Sequence, residues 1–138
     1  MKWLRKIFST PPTKVSLRGR PAIRREKSYT AETGYVYQYF YEGFRETNMD
    51  GEDGQEYLFS VSSDRVSQFP IRIFLSRKVT TEWQITRQRE LNATEQYALI
   101  KMALFAMFDR QPALVGGIPP IYITHKEADE YAATLSLI

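Results

Sequence analysis

The stretch Gly34 to Phe44 reads Gly-Tyr-Val-Tyr-Gln-Tyr-Phe-Tyr-Glu-Gly-Phe. Tyr35, Tyr37, Tyr39 and Tyr41 fall on alternate positions, so in an extended strand their rings share one face. Val36, Phe40 and Phe44 then fall on the other, which leaves both faces largely apolar. Aromatic and β-branched residues fit a pleated, half-buried surface. The run Tyr35 to Arg45 is therefore expected as the first strand of a sheet, with Gly43 marking a bulge or bend near its end.

Working outward, Asn48 to Gly54 is a polar, glycine-containing stretch, read as a loop, and Tyr57 to Ser63 alternates again. Two such runs around a short polar segment predict an antiparallel hairpin. Pro70 opens a third run, Ile71 to Leu75. A fourth, Val79 to Thr86, places Trp83 and Ile85 on one side when read as extended. Four strands in succession without helices between them predict an antiparallel meander. Within the polar loop, Asp50, Glu52, Asp53 and Glu56 are clustered, but their spacing does not fit a calcium loop of the EF-hand type.

The helical signal begins at Asn92-Ala93-Thr94-Glu95, a capping box, and should continue to Asp109 or Arg110 before Pro112. From Tyr97 to Phe108 only Lys101 is polar, so the apolar surface runs around the helix and has to be covered on every side. The sheet can supply one side. The C-terminal segment, the N-terminal arm or a second copy of the chain must supply the rest, and a homodimer is one expectation. This run is too short to cross a bilayer, so no transmembrane segment is expected.

Gly116 to Pro120 reads as a turn, and Ile121 to Ile123 as a short strand or extended connector. Thr124-His125-Lys126-Glu127 is a second capping box. It opens a helix whose Ala128, Tyr131, Ala132 and Leu135 make one buried face. The fold class expected is α+β: an antiparallel sheet of about four strands packed against one long apolar helix, with a C-terminal amphipathic helix completing the cover. Residues 28 to 138 are read as one domain.

Residues 1 to 27 differ in composition. They carry nine Lys or Arg against one acid, a balance of +8, whereas the remaining residues balance at −5 within a whole-chain charge of +3. This division describes a basic, poorly ordered arm on a mildly acidic body, and it bears on partners, not on fold. Trp3, Leu4, Ile7 and Phe8 share one helical face of the arm, so peripheral contact between Trp3 and Phe8 and an anionic membrane is one reading. A docked helix is the other. Because the first 25 residues contain no acid, an N-terminal targeting peptide stays open beside the favoured cytoplasmic location.

Within the arm, Arg18-Gly19-Arg20-Pro21 resembles the core of the AT-hook, an element that binds the minor groove of A·T-rich DNA. The resemblance covers four residues and implies Arg18 and Arg20 lying along the groove with Gly19 close to its floor. Leu17 and Ala22-Ile23 depart from the pattern. The candidate contacts for nucleic acid or another anionic partner are Arg18, Gly19, Arg20, Arg24, Arg25 and Lys27.

Catalytic chemistry has few carriers here. The chain has no cysteine and one histidine, His125, which removes thiol nucleophiles, disulfides and any Cys/His zinc site. No glycine-rich phosphate loop or serine motif occurs, and no cofactor is expected. Lys101 reads either as a desolvated amine with lowered pKa or as a stem lying on apolar surface. The functional expectation is a small, non-catalytic binding protein whose arm contacts a nucleic acid or membrane surface, with Tyr35, Tyr37, Tyr39 and Tyr41 as a candidate binding face. The alternative is a small-molecule binder or enzyme with a pocket between sheet and helices, served by tyrosines and by Glu42, Glu46 and Glu82.

Overall fold

The computed structural model of the chain describes residues 17–110 and 117–137. Its order is β1 (Lys27–Thr30), β2 (Val36–Met49), β3 (Glu52–Ser62), β4 (Phe69–Ser76), α1 (Arg77–Arg87), α2 (Ala93–Arg110), β5 (Ile121–Tyr122) and α3 (His125–Thr134). The strands form one sheet in the order β1-β2-β3-β4-β5. Neighbours are antiparallel except β4 and β5, which run parallel. The α+β class and the meander of β2, β3 and β4 match expectation, but among the described residues the sheet has five strands and the helices number three.

The hairpin is tighter and longer than the polar loop implied. Asn48 pairs with Asp53 and Met49 with Glu52, so the turn consists of Asp50 and Gly51 alone. Both have positive φ, 55° and 84°. That is the type I′ geometry whose twist matches the flanking strands, and Asp-Gly is one of its favoured pairs. At Gly43 the register with β3 shifts, leaving Glu42 as the extra residue of a bulge.

The expected fourth strand is helix α1. Ser76 caps it, its Oγ accepting from the Val79 N–H at 3.1 Å. Val79 and Trp83, four apart, are the residues the helix buries, whereas Ile85 is 70% exposed. The extended reading paired Trp83 with Ile85, but a helix turns about 200° over two residues and separates them. β1 carried no readable signal: Lys-Ser-Tyr-Thr is short and polar, and it is held by pairing Tyr29 with Tyr37 along the edge of β2.

Helix α2 begins where its capping box placed it. The Asn92 N–H donates to Glu95 Oε1 at 3.0 Å, and the Glu95 N–H to Asn92 Oδ1 at 2.8 Å. Its buried residues are Leu99, Ile100, Ala103, Leu104, Met107 and Phe108, a stripe rather than a full circumference. Ala98, Met102, Phe105 and Ala106 are half-buried. The second capping box is also formed, on Thr124 and Glu127, and α3 buries Ala128 and Ala132 against α1 and α2. The core thus lies between one face of the sheet and the helices. No helix among the described residues is long and apolar enough to cross a membrane.

Candidate functional site

The register of β2 decides what the tyrosine stripe does. Tyr37 stacks on Phe108 of α2 with ring centres 4.4 Å apart and planes 7° from parallel. Tyr39 meets Phe105 edge-on at 5.9 Å, and Tyr41 lies 4.8 Å from Tyr97. The stripe therefore faces α2, with Tyr37 and Tyr39 in the core. Tyr35, beyond the helix, is 44% exposed. Phe105 and Phe108 fill the space where a pocket against Tyr37 and Tyr39 was expected.

The segment that precedes β1 continues along the same edge of β2. Arg18 and Phe44 exchange two backbone hydrogen bonds, of 2.7 and 2.9 Å, on the far side of the bulge. Gly19, at φ +65°, lies against the Phe44 ring, where a Cβ would come within 3.0 Å of Cε1. The Gly of the Arg-Gly-Arg-Pro core thus has a packing role in this fold. The expected boundary between residues 27 and 28 falls inside β1, and Trp3 to Phe8 lie outside the described residues.

The candidate cations divide into two groups. Arg18 Nη1 is 3.5 Å from Glu46 Oε2, and Arg24 makes a short, three-contact pair with Glu42. Arg20, Arg25 and Lys27 have no ion-pair partner among the described residues. Arg25 and Lys27 line a cleft of about 340 Å³ together with Pro21, Ala22, Ile23, Tyr41 and Tyr97. Lys27 sits opposite Tyr39 in the register, on the side of the sheet facing α2.

Lys101 of α2 adjoins this cleft. Its Nζ lies 5.3 to 5.4 Å from the ring centres of Tyr39, Tyr97 and Phe105, within the range in which the negative ring faces attract a cation. Burial among these rings lowers its pKa, and the charge of Lys27 lowers it further. Burial also pushes Tyr97 up to about 12, reinforced by Tyr41 and Tyr39, and Tyr41 up to about 12, reinforced by Tyr57. These phenols are therefore neutral hydrogen-bonding groups at neutral pH. The cleft carries net positive charge, a ring-lined floor and an apolar wall.

Known protein families, curated proteins and solved structures were compared with the chain, and none matches.

The other residues considered from sequence are dispersed. Glu42 and Glu46 are taken by arginines, and Glu82, on α1, lies 3.0 Å from His125 Nδ1 instead of meeting them across the sheet. Glu56 is not a loop residue. It is buried in β3, accepting from Arg45 Nε at 2.8 Å with Arg72 Nη1 at 3.5 Å. Sequence reasoning missed Tyr97 and Lys101 as partners of the arm's cations, because nothing local links an α2 residue to one 70 or more positions earlier.

Proposed function

We propose that the protein is a non-catalytic binding protein whose segment Arg18 to Lys27 contacts a polyanionic chain, with single-stranded nucleic acid as the best-fitting partner. The observation that carries the reading is the trio Arg25, Lys27 and Lys101, none with a carboxylate partner among the described residues, beside the half-buried rings of Tyr41 and Tyr97. A groove of cations that tracks phosphates, next to aromatic surface on which a base can stack, is the usual equipment for single strands. A lipid surface offers the same charge without the stacking partner. Self-association is the weaker half of the reading; its support is the half-buried Ala98, Met102 and Ala106 side of α2.

The test compares the full chain with an Arg25→Ala/Lys27→Ala variant on single-stranded DNA, single-stranded RNA and anionic vesicles as salt is raised. Loss of two phosphate contacts should reduce the slope of log affinity against log salt by about 1.4. An unchanged slope removes the reading. Retention on vesicles alone replaces nucleic acid by a membrane surface, and a monomeric mass in light scattering removes the dimer.

A further inference from the structure

β4 and β5 are the only parallel neighbours in the described sheet, and each leads at its carboxyl end into a helix. Ser76 caps α1 and Thr124 caps α3, so two positive helix ends converge on one place. An open cavity of about 390 Å³ lies there, lined on the remaining side by the tip of the β2–β3 hairpin. Its size is that of small-molecule sites.

The lining is chemically divided. Met49, Phe74, Val79 and Ile123 supply an apolar wall, and Lys78 supplies a cation on the α1 side that has no ion-pair partner among the described residues. Asp50 and Glu52 are on the hairpin side, with Asp50 accepting from the Tyr122 hydroxyl at 2.8 Å. His125 lines the cavity too, its Nδ1 held 3.0 Å from Glu82 Oε1. A second, smaller void of about 70 Å³ shares Val79 and His125 with the first and is lined by Trp83. Trp83 is 97% buried, yet its indole N–H has no acceptor among the described residues. Trp83 lines this smaller void and not the larger cavity, so its indole serves as a neighbouring reporter.

We infer that this cavity binds a small organic anion, a carboxylate or phosphate ester with an apolar body. The body lies on Met49, Phe74, Val79 and Ile123, and the anionic group turns away from Asp50 and Glu52 toward Lys78 and the two helix ends. This goes beyond the polyanion contact: the cavity and the Arg25–Lys27 cleft share no lining residue.

The single histidine gives an unambiguous reporter. Phenyl phosphate, benzoate and, as the uncharged control, benzyl alcohol are titrated into the labelled full chain while the His125 imidazole and Trp83 indole resonances are followed by NMR. Saturable shifts with at least one anion, absent or far weaker with benzyl alcohol, are expected, and the responding anion distinguishes phosphate from carboxylate. Lys78→Glu should weaken that binding about fivefold or more. It should not unfold the protein, because Lys78 is exposed and an acid in the first turn suits the helix dipole. Arg25→Ala/Lys27→Ala should leave the titration unchanged, so this inference and the polyanion reading fail separately. The inference is overturned if neither anion saturates by about 10 mM, a bound set by millimolar affinity. It is equally overturned if benzyl alcohol binds as well as the anions, or if Lys78→Glu binds undiminished.

Discussion

Arg24 and Glu42 form a closed pair across the bulge of β2: Nη2 to Oε2 is 2.6 Å, Nε lies 3.0 Å from both carboxylate oxygens, and the guanidinium sits 3.8 Å from the centre of the Phe40 ring. Ser60 Oγ donates to the same carboxylate at 2.7 Å. This pair ties the segment before β1 to the sheet and withdraws one of the arm's cations from any partner.

The hydrogen bond from Arg24 holds the Glu42 carboxyl below its ordinary value of 4.5, opposed by burial and aided by Ser60. A carboxyl with a lowered folded pKa contributes stability above the ordinary value and loses it as pH falls through the folded one. Glu42→Gln should therefore cost about 1 kcal/mol at neutral pH, a modest figure because Arg24 is partly solvated. The difference from wild type should close as pH falls below 4.5. Denaturant unfolding at several pH values measures both, and a pH-independent difference contradicts the linkage.

At the alkaline end the sign reverses. Burial pushes Tyr41, Tyr57 and Tyr97 each up to about 12, so the fold favours their neutral forms. The stability they confer is complete below the ordinary value of 10 and disappears as pH rises toward 12. Phenolate absorbance from these three should appear together with loss of circular dichroism. A gradual titration finished before unfolding begins would show that the rings are open to water.

Two glycines hold the sheet where side chains cannot go. A Cβ on Gly43, at φ +121°, would stand 2.7 Å from the Arg18 carbonyl oxygen, and one on Gly54 would stand 2.5 Å from that of Leu75. Gly54→Ala should destabilise the whole fold by about 1–3 kcal/mol, since the obstruction is backbone in the middle of the sheet. Gly43→Ala should act more locally, detaching the Arg18–Phe44 bridge. Faster hydrogen exchange at the Arg18 and Phe44 amides, with β3–β4 amides still protected, is the result that checks it.

Trp83 and Ile85 separate the helix from the extended reading of residues 79–86. Trp83→Ala should cost about 3–5 kcal/mol and Ile85→Ala less than about 0.5 kcal/mol, since one side chain is in the core and the other in solvent. Thermal unfolding gives the comparison. Equal costs would return this segment to a strand.

The sequence by itself determined the elements whose signal is local. The alternating tyrosines fixed β2, the bulge at Gly43 followed from glycine in a strand, and the capping boxes at Asn92 and Thr124 placed two helix starts to the residue. Tertiary structure alone decided the rest. Whether residues 79 to 86 are extended or helical turned on Ser76 ending β4 and on core space for Trp83, because eight residues with two large apolar side chains satisfy either period. β1 and β5 are too short to announce themselves and exist because β2 and β4 offer them unpaired backbone. The same holds for the candidate sites. Arg25 and Lys27 were legible as charges, but Lys101 and Tyr97 join them only through the packing of α2 on β2. The cavity near Lys78 and His125 arises where two chain segments 48 residues apart, paired as Ile73 with Ile121 and Phe74 with Tyr122, run parallel, and hydrogen bonding between distant strands leaves no mark in either segment's sequence.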